Sequence, residues 1–211
     1  LRRARESARQ AVCKSNLRQQ GLAFSMYAGN NSGRYPPFRT TEPDRVWVSA
    51  WPAAFKEFQG FLLEYGQTSL IYYCPSRTDR RPPNPQSFLV TNGGNRRYVS
   101  YAILSDLRSH PLYGYELFHA FAPAEPRFEG PPKTSAHPDS ALCADLTESL
   151  PNYPVGTRSE PGRGNHGPAK VIGGNALYVG GHATWASLRE LEPRLHRYYY
   201  STYTWNKVYF W

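Results

Sequence analysis

Asp145, His166 and His182 are the residues of this sequence whose side chains best suit a metal ion. Carboxylate and imidazole groups both bind divalent metals, and residues that are far apart in the chain can gather around one ion. The plainer interpretation is that the two histidines hydrogen-bond to loop backbone, and on the sequence alone we prefer it. The three residues are therefore a candidate metal set with a simpler alternative.

Three cysteines, Cys13, Cys74 and Cys143, are too few for a disulfide scaffold and too widely spaced for a zinc ribbon. The simplest arrangement is one disulfide-bonded pair and one unpaired cysteine. The alternative is three buried free thiols. Cys74 with His166 or His182 would supply the thiol and imidazole of a nucleophilic site. Because Cys74 directly precedes Pro75 at the end of an apolar run, we expect a packed or bonded cysteine instead.

Sequence motifs of common enzymes are missing. The chain has no G-x-S-x-G, no H-E-x-x-H and no phosphate-binding P-loop. We therefore expect a protein that is not an enzyme.

The elements that position these residues begin with a long helix. From Leu1 to Ala28 there is no proline and a single glycine, Gly21, so roughly seven helical turns can form before Gly29 and Gly33 end them. At 100° per residue one set of small and apolar residues has the spacing of a buried stripe. This set is Leu1, Ala4, Ala8, Ala11, Val12, Ser15, Leu22 and Met26. A second set, Cys13, Leu17, Phe24 and Ala28, lies on the opposite side, which predicts a helix packed on two sides.

After this helix the patterns predict a short helix over 55–65, a buried strand from Ser69 to Tyr73, and an extended segment over 98–103. A further strand is predicted from Ala141 to Ala144. A hairpin is predicted from ALYV and ATWASL, joined at the glycine pair 180–181. The 17 glycines and 19 prolines predict long loops between these elements.

The formal net charge is +9, and more than half of it comes from the first helix. Only Glu6 opposes the basic residues there, which are Arg2, Arg3, Arg5, Arg9, Lys14 and Arg18. Such a run can face anionic lipid headgroups or acidic groups on neighbouring subunits, or it can simply be solvated. No nucleic-acid-binding motif accompanies the charge, so we expect no nucleic-acid partner.

The string RARESARQAVCKSNLRQQGLAFSMYAGNNSGRYP closely resembles the region after the membrane segment in type IV pilin-like proteins and type II secretion pseudopilins. The matching residues are Arg5, Glu6, Ala8, Arg9, Cys13, Ser15, Asn16, Leu17, Arg18, Gln19, Gly21, Leu22, Ala23, Tyr27, Ala28, Asn31, Gly33, Tyr35 and Pro36. In the head, Cys74, Pro75 and Ser76 extend the resemblance. The family's C-terminal signature, a histidine followed by Asp-Gly-His, is matched at Asn165, His166, Asn175, Leu177, Gly181, His182 and Trp185. Gly180 stands where that signature has aspartate, and four extra residues follow His166.

The resemblance implies an α+β fold in which a long N-terminal helix packs on an antiparallel β-sheet head with long Pro/Gly-rich loops. It implies a helix over 1–33, a head over 34–190 and an aromatic C-terminal tail over 191–211 that packs on the head or on a neighbouring subunit. In this family an apolar helix of about 20 residues or more precedes the matched string. Since the sequence starts at Leu1 with arginines following, we expect a truncated or processed form of a longer precursor.

The function implied is a non-catalytic structural subunit of a type IV pilus-like or type II secretion pseudopilus filament. Its partners would be copies of itself, related pilin-like subunits, and an inner-membrane assembly machinery that contacts the missing N-terminal segment. The location implied is the cell envelope or an extracellular filament, with the precursor anchored in the membrane. The candidate subunit-interface residues are Leu1, Ala4, Ala8, Val12, Leu22, Met26, Tyr203, Trp205 and Trp211.

Export would permit a disulfide, and a bond between Cys13 and Cys74 would fasten the helix to the head. We expect no cofactor. Some pseudopilins bind calcium through a C-terminal loop, but calcium prefers several oxygen ligands, and the histidines fit it poorly. The alternative function is an exported polymer- or carbohydrate-binding module that uses aromatic surfaces such as the tail and the Trp47 and Trp51 pair.

Overall fold

The structure is a computed structural model of the 211-residue chain. It describes residues 2–36, 45–47, 60–65, 68–77, 96–98, 100–104, 134–149, 161–166, 171–191, 193–197 and 207–210. Within these ranges the elements are helix α1 (Arg2–Asn30), the 3₁₀ helix η1 (Ser69–Tyr72) and strands that we number in chain order. The strands are β1 (Arg45–Trp47), β2 (Arg96–Tyr98), β3 (Tyr101–Ile103), β4 (Ala141–Asp145), β5 (Thr147–Ser149), β6 (Pro161–Gly164), β7 (Gly173–Tyr178), β8 (Ala183–Ser187), β9 (Pro193–Arg197) and β10 (Lys207–Phe210). A long helix with antiparallel sheets confirms the α+β class.

Helix α1 forms where the sequence predicts it, and it ends two residues beyond Ala28. The Gly33 N–H donates to the Ala28 carbonyl at 2.8 Å, and the Asn31 side chain donates to the Tyr27 carbonyl at 2.8 Å. The backbone turns through the left-handed region at Gly33, with φ of 75°, where glycine has no steric penalty. Of the helices that the structure describes, none is apolar enough over a sufficient length to cross a bilayer.

The two apolar sets on α1 have different environments. Cys13, Leu17 and Phe24 have no solvent exposure and belong to the core, together with Ala28. The burial that the spacing of the first set suggests is not found within this chain, because Leu22 and its described neighbours on that stripe are exposed. Periodicity identifies apolar stripes, but it does not say which one the head covers.

The core lies between α1 and a four-stranded antiparallel sheet with the order β3-β4-β7-β8. Every residue of β4 is buried, as expected for a strand covered on both faces. The predicted hairpin is confirmed: β7 pairs with β8 through a turn at Gly180 and Gly181, and Gly181 has φ of 79°. The predicted strand at Ala141 is confirmed as β4.

Gly21 is required by the close approach of α1 to β7. A Cβ at this position would lie 2.6 Å from Cδ2 of Leu177, which is itself buried in the core. The single glycine in the interior of α1 therefore marks the point where the helix crosses the sheet.

A second four-stranded sheet has the order β6-β5-β10-β9, and β1 pairs with β2 in a separate two-stranded sheet. The extended segment predicted over 98–103 is therefore divided, with β2 and β3 in different sheets. The break occurs at Ser100, whose N–H donates to the Tyr72 carbonyl and whose carbonyl accepts from the Leu146 N–H. The tail contributes β9 and β10 to the second sheet.

The strand predicted from Ser69 to Tyr73 is wrong, because Ser69–Tyr72 form η1. Thr68 caps this helix by accepting from the Leu70 N–H, and the Tyr73 N–H donates to the Leu70 carbonyl. A short apolar run fits a buried strand and a buried helical turn equally well, and here the capping threonine favours the turn. Of the predicted helix over 55–65, residues 60–64 are helical and 55–59 lie outside the described residues.

Candidate functional site

Four buried side chains from distant parts of the chain meet at one point. They are Cys13 from the buried face of α1, Cys74 just after η1, Asp145 at the end of β4, and His166 just after β6. One potential ligand atom from each lies within 4.8 Å of all the others. We call these four residues the buried donor cluster.

The two cysteines are free thiols in contact with each other. The Cys13 Sγ–H donates to Cys74 Sγ at 3.0 Å, and the Ser76 N–H also donates to Cys74 Sγ, at 3.4 Å. The hydrogen bond to Cys74 and burial raise the pKa of Cys13. Burial acts to raise the pKa of Cys74, but the hydrogen bonds that it accepts and the nearby His166 charge lower it below the ordinary value. Cys74 is therefore the sulfur that ionises first.

Asp145 is a buried carboxylate with several donors. Its Oδ1 accepts from the Asn165 side chain at 2.9 Å, and its Oδ2 accepts from both the backbone N–H and the side chain of Asn175, each at 2.7 Å. Asn165 also donates to the Ser100 carbonyl. A buried charge is tolerated when such hydrogen bonds replace water, so these amides hold the carboxylate in one orientation.

His166 lies between two carboxylates. Its Nδ1 is 2.8 Å from Glu6 Oε1, and its Nε2 is 3.2 Å from Asp145 Oδ2 without the geometry of a hydrogen bond. Burial alone lowers the pKa of His166, but the interactions with Asp145, Cys74 and Glu6 raise it to about 9. The imidazole ring is fully buried and packs edge-on against Trp185 at 5.3 Å.

Glu6 connects the first turns of α1 to this cluster. Besides His166, it accepts from the Ser76 hydroxyl at 3.0 Å and lies 3.7 Å from Arg9. Ser76 thus contacts both Cys74 and Glu6. The cluster and its neighbours therefore hold the helix, the turn after η1 and the sheet together.

The structure brings together two of the three predicted metal ligands. Asp145 and His166 are in contact, whereas His182 stacks on Tyr178 with ring centroids 4.6 Å apart and lies 3.8 Å from Asp139. The pairing of β4 with β7 explains this, because Ala144 lies opposite Ala176 while Tyr178 and His182 are at the other end of the hairpin. His182 is therefore not part of the cluster, and the prediction that it joins Asp145 and His166 is wrong.

Cys13 and Cys74 are neighbours, as the predicted disulfide requires, and the bond itself stays a prediction. No pattern in the sequence connects this pair with Asp145 and His166. Glu6, Ser76, Asn165 and Asn175 were also not predicted as site residues. One available signal was that Glu6 is the lone acid among the basic residues of α1.

The candidate interface residues on α1 are on its exposed side. Leu22 is 64% exposed, Met26 51% and Val12 49%, and Ala4 and Ala8 are also exposed. The other candidates, Leu1, Tyr203, Trp205 and Trp211, lie outside the described residues. The same holds for Trp51 and for the side chain of Trp47.

Comparisons of the chain with protein-family models, with curated proteins and with solved structures give no match.

Proposed function

We propose that this chain is a non-catalytic structural subunit of a type IV pilus-like or type II secretion pseudopilus filament. The observation that carries the proposal is the division of α1 into a face that the head covers and an opposite apolar stripe that it leaves exposed. Val12, Leu22 and Met26 fall within about 80° of one another at 100° per residue. In the isolated chain these side chains contact water, so they are available to a partner.

The packing of the head supports a fixed orientation of this stripe. Cys13, Leu17 and Phe24 are fully buried against the sheet, and Gly21 lets the helix approach Leu177 closely. Because α1 cannot rotate about its axis without breaking these contacts, the stripe points in one direction. A filament subunit needs such a fixed face, since each copy must meet its neighbours in the same way.

The partners that we propose are further copies of this chain, related pilin-like subunits and, through a preceding apolar segment, an inner-membrane assembly machinery. The proposed location is the cell envelope or an extracellular filament. The buried donor cluster does not argue for catalysis, because all four side chains are buried and a nucleophile must reach its substrate.

The alternative, an exported module that binds a polymer through aromatic surfaces, has no comparable support in the described part of the chain. There, Phe24, Tyr72 and Tyr101 are fully buried in the core. They are therefore not available to a carbohydrate, whereas the aromatic side chains on which this alternative rests, those of the tail, Trp47 and Trp51, are not among those that the structure describes.

Photo-crosslinking in cells that produce the protein tests the filament proposal. A photoreactive amino acid replaces Met26 on the stripe, and in a matched control it replaces the exposed neighbour Ser25, which lies about 100° away from Met26 around the helix. We expect adducts with a second copy or with another pilin-like subunit from position 26, in the fraction that contains sheared surface filaments. Adducts of equal yield from both positions, or a chain recovered only as a monomer without adducts, would contradict the proposal.

A further inference from the structure

We propose that Cys13, Cys74, Asp145 and His166 form a four-coordinate zinc site that fastens α1 to the head. Two thiolates, one imidazole and one carboxylate are ligands that zinc accepts in tetrahedral sites. No local sequence motif predicts this site, because its ligands come from four segments of the chain that meet only in the folded protein. The proposal does not depend on the filament function.

The positions of the ligand atoms fit an ion at the centre of the cluster. All four donors lie within 4.8 Å of one another, and each of the four side chains is buried. The two sulfur atoms are 3.0 Å apart. With Zn–S bonds of about 2.3 Å, a tetrahedral zinc requires them to move to about 3.8 Å, a shift of less than about 1 Å. Small changes in cysteine side-chain rotation can provide this movement without displacing α1.

His166 presents Nε2 to the cluster, 3.2 Å from Asp145 Oδ2. Its Nε2 is fully buried and has no hydrogen bond, while its Nδ1 lies 2.8 Å from Glu6 Oε1. Histidines that bind metals commonly donate their other ring N–H to a carboxylate, which fixes the tautomer and the ring orientation. Glu6 has this position, and the Ser76 hydroxyl in turn donates to Glu6 at 3.0 Å.

Two of the remaining ligands, Asp145 and Cys74, are also held from outside the cluster. Asp145 accepts three hydrogen bonds from Asn165 and Asn175, and Cys74 Sγ accepts from the Ser76 N–H. These donors partly offset the negative charge that two thiolates and a carboxylate bring to a buried site. Such support is typical of structural metal sites.

Other states of the cluster use fewer of its four donors together. A Cys13–Cys74 disulfide uses the two sulfur atoms but does not involve Asp145 or His166, which then pair with each other. Calcium is a poor fit because three of the four donors are sulfur or nitrogen. In the binding step two Zn–S bonds, one Zn–N bond and one Zn–O bond form, while the thiol protons and any proton on His166 Nε2 pass to the buffer.

Cobalt and zinc titration of the full chain tests the proposal. The protein is reduced, stripped of metal with a chelator that is then removed, and titrated with Co²⁺. We expect one equivalent per chain, visible bands of tetrahedral cobalt and a thiolate-to-cobalt charge-transfer band. One equivalent of Zn²⁺ should then displace the cobalt. The Cys74→Ser and His166→Ala variants should lose the tetrahedral spectrum, and circular dichroism checks that they fold.

Matched controls are available because the chain has a cysteine and a histidine outside the cluster. Cys143→Ser and His182→Ala should bind cobalt as the wild type does. Glu6→Gln, on a partly exposed side chain that is not a ligand, should keep the tetrahedral spectrum but bind zinc about 10–100-fold more weakly.

Three results would overturn the proposal. They are failure of the folded, reduced wild-type chain to take up cobalt, a spectrum that lacks the charge-transfer band, and formation of the Cys13–Cys74 disulfide in air despite saturating zinc. None of them bears on the crosslinks from position 26, so the zinc site and the filament function fail separately.

Discussion

His166 couples protonation to folding, because the folded chain places it between Glu6 and Asp145. In the metal-free protein its pKa is about 9, compared with an ordinary value of 6.5. The folded state therefore binds a proton more tightly than the unfolded state. The resulting stabilisation is fully present below pH 6.5 and is lost as the pH rises through 9.

The pH dependence of stability measures this effect. For the chelator-treated, reduced wild type, we expect the free energy of unfolding attributable to His166 to fall by about 3 kcal/mol across that range. Urea denaturation at several pH values measures it. Subtracting the free energy of unfolding of the His166→Gln variant at each pH isolates the contribution of His166. His182→Ala should keep the wild-type slope. An equal slope in the wild type and in His166→Gln would show that His166 does not titrate in this way.

Asn165 is the amide that ties Asp145 to the neighbouring strands. Replacing Asn165 with alanine removes its hydrogen bonds to Asp145 and to the Ser100 carbonyl, both of which are buried. We expect a loss of about 2–4 kcal/mol in the free energy of unfolding, since hydrogen bonds to a buried charge are among the stronger ones. The control is Asn30→Ala, at an exposed amide with a 3.5 Å contact to Tyr65, which should cost less than about 0.5 kcal/mol. Chemical denaturation measures the free energy of unfolding of both variants. Equal losses would contradict the role of Asn165 in holding Asp145.

At the scale of elements, the packing of α1 on β7 depends on a missing side chain. Gly21 faces Leu177 at a distance that excludes a Cβ, whereas Gly29, in the last turn of the same helix, has open space around it. The two positions therefore separate the intrinsic preference for helix from tertiary packing.

Alanine at each glycine tests this separation. Gly29→Ala should raise the free energy of unfolding by up to about 1 kcal/mol, because alanine is the better helix former. Gly21→Ala has the same intrinsic gain but forces Leu177 to move, and we expect a net loss of about 1–2 kcal/mol. Thermal or urea unfolding of the two variants gives the comparison. A stabilised Gly21→Ala protein would mean that α1 does not approach β7 so closely.

Local signals in the sequence predicted the elements that are determined locally. The proline-free run gave α1, and the glycine pair gave the β7–β8 turn, because helix breakers and tight turns act over a few residues. The Ser69–Tyr73 run was misassigned because four or five apolar residues do not distinguish a strand from a helical turn. Periodicity alone did not choose the buried side of α1, since both of its apolar stripes satisfy it; the predicted contact of Cys13 with Cys74 did.

The candidate site was only partly predictable for a different reason. The sequence predicts a disulfide between Cys13 and Cys74 and a metal site that includes Asp145 and His166. It does not predict that these four residues meet. Their meeting depends on how α1, η1 and β4 pack, which no local pattern encodes. His182 is a candidate because an imidazole suits a metal ion, although the hairpin places it at the opposite end from Asp145.

At the scale of the whole molecule, zinc should act on global stability, because its proposed ligands belong to four separate segments. A free zinc concentration about 100 times the dissociation constant should stabilise the reduced chain by about 2.7 kcal/mol. For a chain of this size that corresponds to a rise in melting temperature of roughly 5–11 °C. Differential scanning calorimetry with and without zinc measures it, and His166→Ala is the matched control. An equal rise in both proteins would place the zinc elsewhere.

Glu6 and His166 are in contact although they are 160 positions apart in the chain. During synthesis the contact can therefore form only long after Glu6 has been made. A ribosome adds about 5–20 residues per second, and α1 therefore waits roughly 8–32 s before the residue that receives Glu6 has been made. During that interval both apolar stripes of the helix are uncovered and Cys13 is open to reagents. We expect nascent chains stalled before His166 to react with a maleimide at Cys13, and released full-length chains to be protected. Until the last third of the head has been made, the apolar side chains of α1 would therefore need another partner to shield them from water.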